Sequence, residues 1–374
     1  MRVAEEMGER FPNHVGYAVR FEEAIDADHL QIKFMTDGLL VREMMLDPLL
    51  SQYSCIMLDE AHERSLYTDI CLGLLKKVLR RRPDLRLIVS SATLDAEEFF
   101  DFFNIPIVVS STQDPDLSST TSTTTSTSTS TQIKHSAAVI SIPGRTFPIQ
   151  VLFAASPVKD YRQAMIETVL NIHKTEEEGD ILCFLTGQDE IEFCASALRD
   201  HSVSSSSISP SCPHLKILPL YSGLPVDQQR RVFESYPMHR KVIIATNIAE
   251  TSITIPGVVY VIDSGFVKVR IFHSDSGTES LAITPISQSA ANQRAGRAGR
   301  TKAGKCFRLF TESTFLNDLS PNSVPEIQRT NLAPVCVQLK ALGIDNILKF
   351  DFMSPPPVNH LSFSLEVCLS ISLS

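Results

Sequence analysis

Short apolar, β-rich runs recur along the chain as CIMLDE, LRLIVSSAT, ILCFLTG, KVIIATN and VVYVIDSG. Segments with helical periodicity lie between them. LYTDICLGLLKKVLRRR (66–82) separates the first two runs, and YRQAMIETVLNIHK (161–174) precedes the third. Apolar strands bounded by amphipathic helices predict parallel sheets covered on both faces, an α/β fold. Functional residues of such folds collect at the carboxyl ends of strands. Asp59, Ser91 and Thr246 fall there.

At 374 residues the chain has room for about two or three domains. An apolar fraction of 43% fits a globular protein with a buried core. No apolar stretch approaches the roughly 20 residues of a membrane span, so no membrane partner is expected. The opening MRVAEEMGERF is charged throughout and excludes an apolar secretory signal there. The eight cysteines form no CxxC pair and no Cys/His cluster at zinc spacing, which reads as reduced thiols in cytosol or nucleus. A net charge of −9 argues against coating nucleic acid by charge alone. The local run RAGRAGRTKAGKCFR (294–308) is nonetheless basic, and an acidic body with focused positive patches can hold a polyanion in a cleft.

Residues 118–131 are uninterrupted Ser and Thr, and HSVSSSSISPSCPH (201–214) is similar. Neither can offset its ordering entropy by apolar burial, so both are expected to be disordered surface insertions. The first divides the chain into two α/β blocks. The closing PPPVNHLSFSLEVCLSISLS carries no periodicity that continues what precedes it.

LDEAH (58–62) sets two carboxylates at a strand end. The aspartate there can bind Mg²⁺ and the glutamate can polarise an attacking water, but a capped strand end with a solvated acidic turn accounts for the same letters. HERSL (62–66) begins like the zinc-protease helix HExxH, yet position 66 is Leu, which rejects that site. SSATL (90–94) alone reads as a cap on the helix DAEEFFDFF. QRAGRAGR (293–300) is more specific. Its arginines, spaced by three, are expected along one helical face, and each guanidinium fork suits phosphate. GRTKAGKC (299–306) matches GxxxxGK but ends in Cys and precedes a strand-like run, which marks the match as accidental.

LDEAH, SAT, FLTGQDEIE (184–192), ATNIAETSITIPG (245–257) and QRAGRAGR follow one another in the order of the DEAH-box ATP-dependent RNA helicases. The chain resembles in particular the members of that family associated with pre-mRNA splicing. The likeness runs from RVAEEM through NLAPVCVQLKALGIDN (331–346) and FMSPPP (352–357). It implies two RecA-like lobes with ATP between them and RNA across both. The lobes are expected at 1–155, with a disordered insertion at about 110–136, and at 156–312. The start of a winged helix follows at 313–357 and an atypical tail at 358–374.

The resemblance implies Mg²⁺ on Asp59, water activation by Glu60, and His62 among the nucleotide-binding residues. Ser91 and Thr93 would couple hydrolysis to lobe movement, and Gln293 would position water or the γ-phosphate. Arg297 and Arg300 would be arginine fingers, with Arg2 and Phe233 sandwiching adenine. Arg20, Thr36, Gly187, Thr246 and Asn247 would contact RNA, and 267–285 would form a strand-separating hairpin. The family's phosphate loop GxxxxGK[ST] lies upstream of RVAEEM, so the first lobe is expected to lack its opening strand and loop. The implied activity is ATP-driven RNA unwinding or ribonucleoprotein remodelling, in the nucleus or alternatively the cytoplasm. Partners would be RNA and spliceosomal or helicase-activating proteins. The competing reading is an inactive fragment that binds RNA or protein.

Overall fold

A computed structural model of the chain describes all residues except 1, 93–95, 105–106, 110–131, 135, 143, 145–146, 206–213, 251–252 and 374. The Ser/Thr tract at 118–131 and Thr93 therefore lie outside the described residues. The chain forms two compact units. One comprises Met1–Pro143 with Gln338–Pro355, and the other Gly144–Val337 with Pro356–Ser374.

In the first unit the elements are α1 (Arg2–Glu6), β1 (Val15–Val19), β2 (Glu22–Ala24), β3 (Ile32–Met35), α2 (Asp37–Leu46), β4 (Cys55–Leu58), α3 (Leu66–Arg81), β5 (Arg86–Val89), α4 (Ala96–Phe103), β6 (Ile107–Val109) and β7 (Gln132–Lys134). β1 pairs antiparallel with β2 and parallel with β3. β4 and β5 pair in parallel across α3, the connection a parallel pair requires. Ser65 starts α3 by accepting from the Thr68 N–H, and Leu72, Leu75 and Val78 bury its apolar stripe. Burial alternates along β4: Ile56 and Leu58 are buried, whereas Met57 (56% exposed) and Ile88 on β5 (49%) are not. The expectation of sheets covered on both faces thus fails at β4–β5, where α3 supplies one cover. Segment 338–355 packs on α3, with Arg80 3.3 Å from Asp351 and the Lys77 ammonium over the Phe350 ring.

The second unit contains β8 (Ile149–Phe153), α5 (Tyr161–Thr175), β9 (Asp180–Phe184), α6 (Gln188–Ser205), β10 (His214–Leu220), α7 (Val226–Arg230), β11 (His239–Ala245), β12 (Val258–Asp263), β13 (Phe266–His273), β14 (Thr278–Pro285), α8 (Gln288–Gly296), β15 (Gly304–Arg308), α9 (Ala333–Ala341, continuing into the first unit) and α10 (Val358–Leu373). Six strands make one sheet in the order β10-β11-β9-β12-β15-β8, parallel throughout. Its central strands carry unbroken apolar runs, Ile181–Phe184 and Val258–Ile262, because both faces are covered, and β12 is buried at every position. β13 and β14 form a separate antiparallel hairpin over 266–285, where the resemblance places one.

Three sequence expectations meet different structure. The boundary at 155/156 leaves β8 with the first block, but β8 pairs with β15 and belongs to the second sheet. Residues 201–205 continue α6 instead of leaving as a loop. Residues 358–373 of the tail form α10, which buries His360, Leu361 and Ser364. Segment 313–357 contains α9 and short helical turns at 314–318, 326–328 and 347–349.

GRTKAGKC is no phosphate loop, since Gly304 opens β15 and the match runs into that strand instead of a helix. Glycine is needed at 304 for another reason. A Cβ there would sit 2.5 Å from both the Ala298 and Val259 carbonyl oxygens. Those atoms are backbone and cannot swing aside. Gly304→Ala should therefore destabilise the second unit by about 1–3 kcal/mol, the usual effect of overpacking. Urea unfolding of the two proteins checks this, and an unchanged midpoint would contradict it.

Candidate functional site

The LDEAH segment leaves β4 through two consecutive constraints. Ser90 N–H donates to Leu58 O and Ala61 N–H to Ser90 O, both at 2.9 Å, so the β4–β5 ladder continues past the strand ends. Glu60 and Arg64 then adopt left-handed backbone, φ +51° and +48°, on either side of the tight turn 61–63. Non-glycine residues rarely accept that conformation, and it is characteristic of sites that aim side chains. Asp59 Oδ1 accepts from the Glu60 N–H at 3.0 Å and from the Ser90 hydroxyl. The side chain of His62 is buried. Its Nδ1 accepts from the Ala92 N–H at 3.1 Å, which places the ring proton on Nε2, 3.4 Å from Glu60 Oε2. Ala92 belongs to the SAT motif, so one imidazole joins that motif to the LDEAH glutamate. Ser91 is half-buried beside it.

Arg64 fixes the far end of the turn. It grips the buried Asp69 of α3 through two bonds, 2.6 and 3.1 Å, and donates to Ser354 of FMSPPP at 2.8 Å. Among the described residues no group of three His, Cys, Asp or Glu side chains is arranged to hold a metal ion. Mg²⁺ at a phosphate site takes one or two carboxylates plus phosphate and water. A single oriented Asp59 at a strand end fits that demand.

In the second unit the arginines of QRAGRAGR do not share a helical face. α8 ends at Gly296, Arg297 lies in the turn after it, and Arg300 is exposed on the following bend. The chain tightens there because Gly299 approaches β8: its carbonyl accepts from the Phe147 N–H at 3.0 Å, and a Cβ would meet Phe147 O at 2.7 Å. Arg294 is wholly buried. It donates to Asp263 Oδ1 at 2.7 Å, Glu250 Oε2 at 2.9 Å and the Phe266 carbonyl at 3.2 Å, with its guanidinium over the Phe184 ring. Arg297 donates to Ile253 O at 2.9 Å, and Arg300 to the Thr254 hydroxyl. The arginines thus stitch 294–300 to Glu250, Ile253 and Thr254. Burial pushes the Glu250 carboxyl up, with Arg294 opposing. Burial also acts to lower Arg294, but Asp263 and Glu250 together hold it above its ordinary value. Sequence reasoning missed Glu250, Asp263 and the inward turn of Arg294. Gln293, its neighbour, is half-buried on α8.

Thr246 follows β11 and caps the turn 247–249, leaving Asn247 exposed. Gly187 follows β9, and a Cβ there would lie 3.6 Å from the Lys268 ammonium of the hairpin. Phe233, 46% exposed, lines a cavity of about 290 Å³ with Asp180, Tyr236, Lys241 and Gly257. Lys241 shapes its floor by donating to the Val232, Glu234 and Pro256 carbonyls at 3.1–3.3 Å. In the first unit Thr36 caps α2 by position, without a side-chain bond, and Arg20 is exposed on the β1–β2 turn. Arg2 is exposed on the five-residue α1 and donates to Glu6 at 2.8 Å.

Parallel sheets whose carboxyl ends carry LDEAH, SAT and ATN, followed by QRAGRAGR, define a helicase-type α/β protein. The helicase conserved C-terminal domain matches residues 162–302. A human relative, the probable ATP-dependent RNA helicase DHX35, is 51% identical over 99% of this chain and 50% of its own length. The Schizosaccharomyces pombe pre-mRNA-splicing factor ATP-dependent RNA helicase prp22 is 47% identical over 99% of this chain and 29% of its own. The crystal structure of the Escherichia coli DEAH/RHA helicase HrpB superposes with a TM-score of 0.78 at 28% identity, covering 98% of this chain and 42% of that one. Over nearly all of its length the chain is similar to these helicases, and its architecture is RecA-like. It spans half or less of the length of these relatives.

Removing Arg294 should leave two buried carboxylates without their cation. Arg294→Met is expected to destabilise the second unit by about 3–5 kcal/mol. Glu250 has a folded-state pKa raised above its ordinary 4.5, so its contribution is complete below that value and fades as pH rises through the folded value. Without Arg294 the carboxyl rises further, and the deficit of the variant should widen from pH 5 to pH 7. Urea midpoints at the two pH values test this, and an equal deficit at both would refute it.

Proposed function

We propose that these residues form the motor portion of an ATP-dependent RNA helicase that unwinds RNA or remodels ribonucleoproteins during pre-mRNA splicing in the nucleus. The observation that carries the reading is the junction at β4 and β5, where His62 ties Ala92 to Glu60 and Ser90 orients Asp59. Such a junction links the residue that faces a water to the motif that must respond when a phosphate leaves.

Glu60 orients the hydrolytic water and takes its proton, with His62 fixing the carboxylate. A Mg²⁺ ion on Asp59 would supply charge neutralisation at the phosphates. Gln293 positions the water or the γ-phosphate. Arg297 and Arg300 meet the developing charge as arginine fingers, after exchanging their Ile253 and Thr254 contacts for phosphate oxygens. Arg2 and Phe233 hold the adenine, with the cavity beside Phe233 as its recess. Thr93 joins Ser91 in relaying hydrolysis. Arg20, Thr36, Gly187, Thr246 and Asn247 hold the RNA backbone at strand ends. Segment 313–357 opens a winged-helix domain, and spliceosomal or activating proteins are the further partners.

The proposal requires RNA binding, which titration of unrelated single strands at several salt concentrations tests. Affinities should be similar between sequences and fall with a log–log slope of about −3, as for roughly four phosphate contacts. A strong preference for one sequence, insensitive to salt, would overturn the proposal.

A further inference from the structure

The most exposed large apolar side chain among the described residues is Phe21, at 94%. It sits at the tip of the β1–β2 hairpin. Val19 pairs with Glu22, so Arg20 and Phe21 are the whole connection. Phe21 holds φ +70°, left-handed backbone that a two-residue turn normally gives to Gly or Asn. A bulky aromatic in that conformation, with its ring in water, gains nothing from packing. The Arg20 guanidinium lies over the ring, 4.8 Å from its centroid. The Tyr17 hydroxyl donates to Glu22 and ties down the carboxylate that follows the tip. The parallel register of β1 with β3, Ala18 opposite Met35, puts Thr36 at the same edge of the sheet.

We infer that Phe21 is a stacking platform for one unpaired base of the bound RNA strand, with Arg20 on the adjacent phosphate. The inference rests on the RNA-binding reading above and refines it. Arg20 and Thr36 offer groups suited to phosphate and ribose, whereas Phe21, more exposed than Phe34 on β3 (50%), offers a π face at the hairpin tip. A strand that lays its backbone on the first two brings a base over the third. Such stacking tolerates any base, since every base has a face to offer. It therefore adds affinity without a sequence preference.

The test uses the 374-residue chain, a labelled oligouridine strand, and a strand of the same length whose ribose-phosphate backbone carries no bases. Phe21→Gly relieves the left-handed strain, so misfolding is no explanation for lost binding. It should weaken oligouridine binding by about 5- to 100-fold, the range set by one base–aromatic stack, and leave the abasic strand within about twofold. Phe21→Tyr should retain oligouridine binding, and Arg20→Ala should weaken both strands alike. Equal loss on the two strands with Phe21→Gly, or no loss on either, removes the platform while RNA binding stands. Failure of the unaltered chain to bind either strand removes the RNA reading and the platform with it.

Discussion

Arg294 is held by Asp263, Glu250 and the Phe266 carbonyl at the centre of the second unit. Each partner comes from a different part of the chain: Asp263 ends β12, Glu250 follows the turn after β11, and Phe266 begins the hairpin. A guanidinium with no access to water must find most of its donors occupied, and two carboxylates at 2.7 and 2.9 Å meet that requirement. The strand end, the ATN segment, the hairpin base and α8 therefore move together or not at all. Arg297 and Arg300 extend the same stitching outward, where weaker and more exposed contacts can be exchanged for a ligand.

The first unit solves the corresponding problem with strain and an imidazole ring. Two left-handed residues close the turn after β4, and Arg64 anchors it to α3 through Asp69. Within that frame Asp59 is held by its own strand junction and Glu60 by His62. The arrangement leaves both carboxylates oriented and open, as their proposed contact with phosphate and water requires.

The parallel α/β architecture was legible because β9, β11 and β12 carry apolar runs without alternation (ILCF, VIIA and VVYVI), as a doubly covered sheet favours. The placement of Asp59 and Thr246 at strand ends followed from the same pattern. The arginine run was misread for a local reason. Spacing by three suggests one helical face, but Gly296 ends the helix and Gly299 must approach Phe147, so the three guanidinium groups diverge. The partners of Arg294 were hidden because Glu250 and Asp263 lie 44 and 31 residues away, and nothing local marks a long-range ion cluster. Alternation at β4 was similarly silent: CIML reads as continuously buried, yet Met57 faces outward. Phe21 carried a faint signal, an aromatic where a two-residue turn calls for Gly or Asn.

The central claim is that the Glu250–Arg294–Asp263 cluster acts as one unit that holds the motifs of the second lobe. A double-mutant cycle on Glu250→Gln and Arg294→Met, read by urea unfolding at pH 7, measures this directly. Removing either partner should disable the other, so the pair should show a coupling of about 1.5–3 kcal/mol, with the double variant little worse than Arg294→Met alone. Effects that add to within about 0.5 kcal/mol would show that the two side chains are stabilised independently, and would contradict the account.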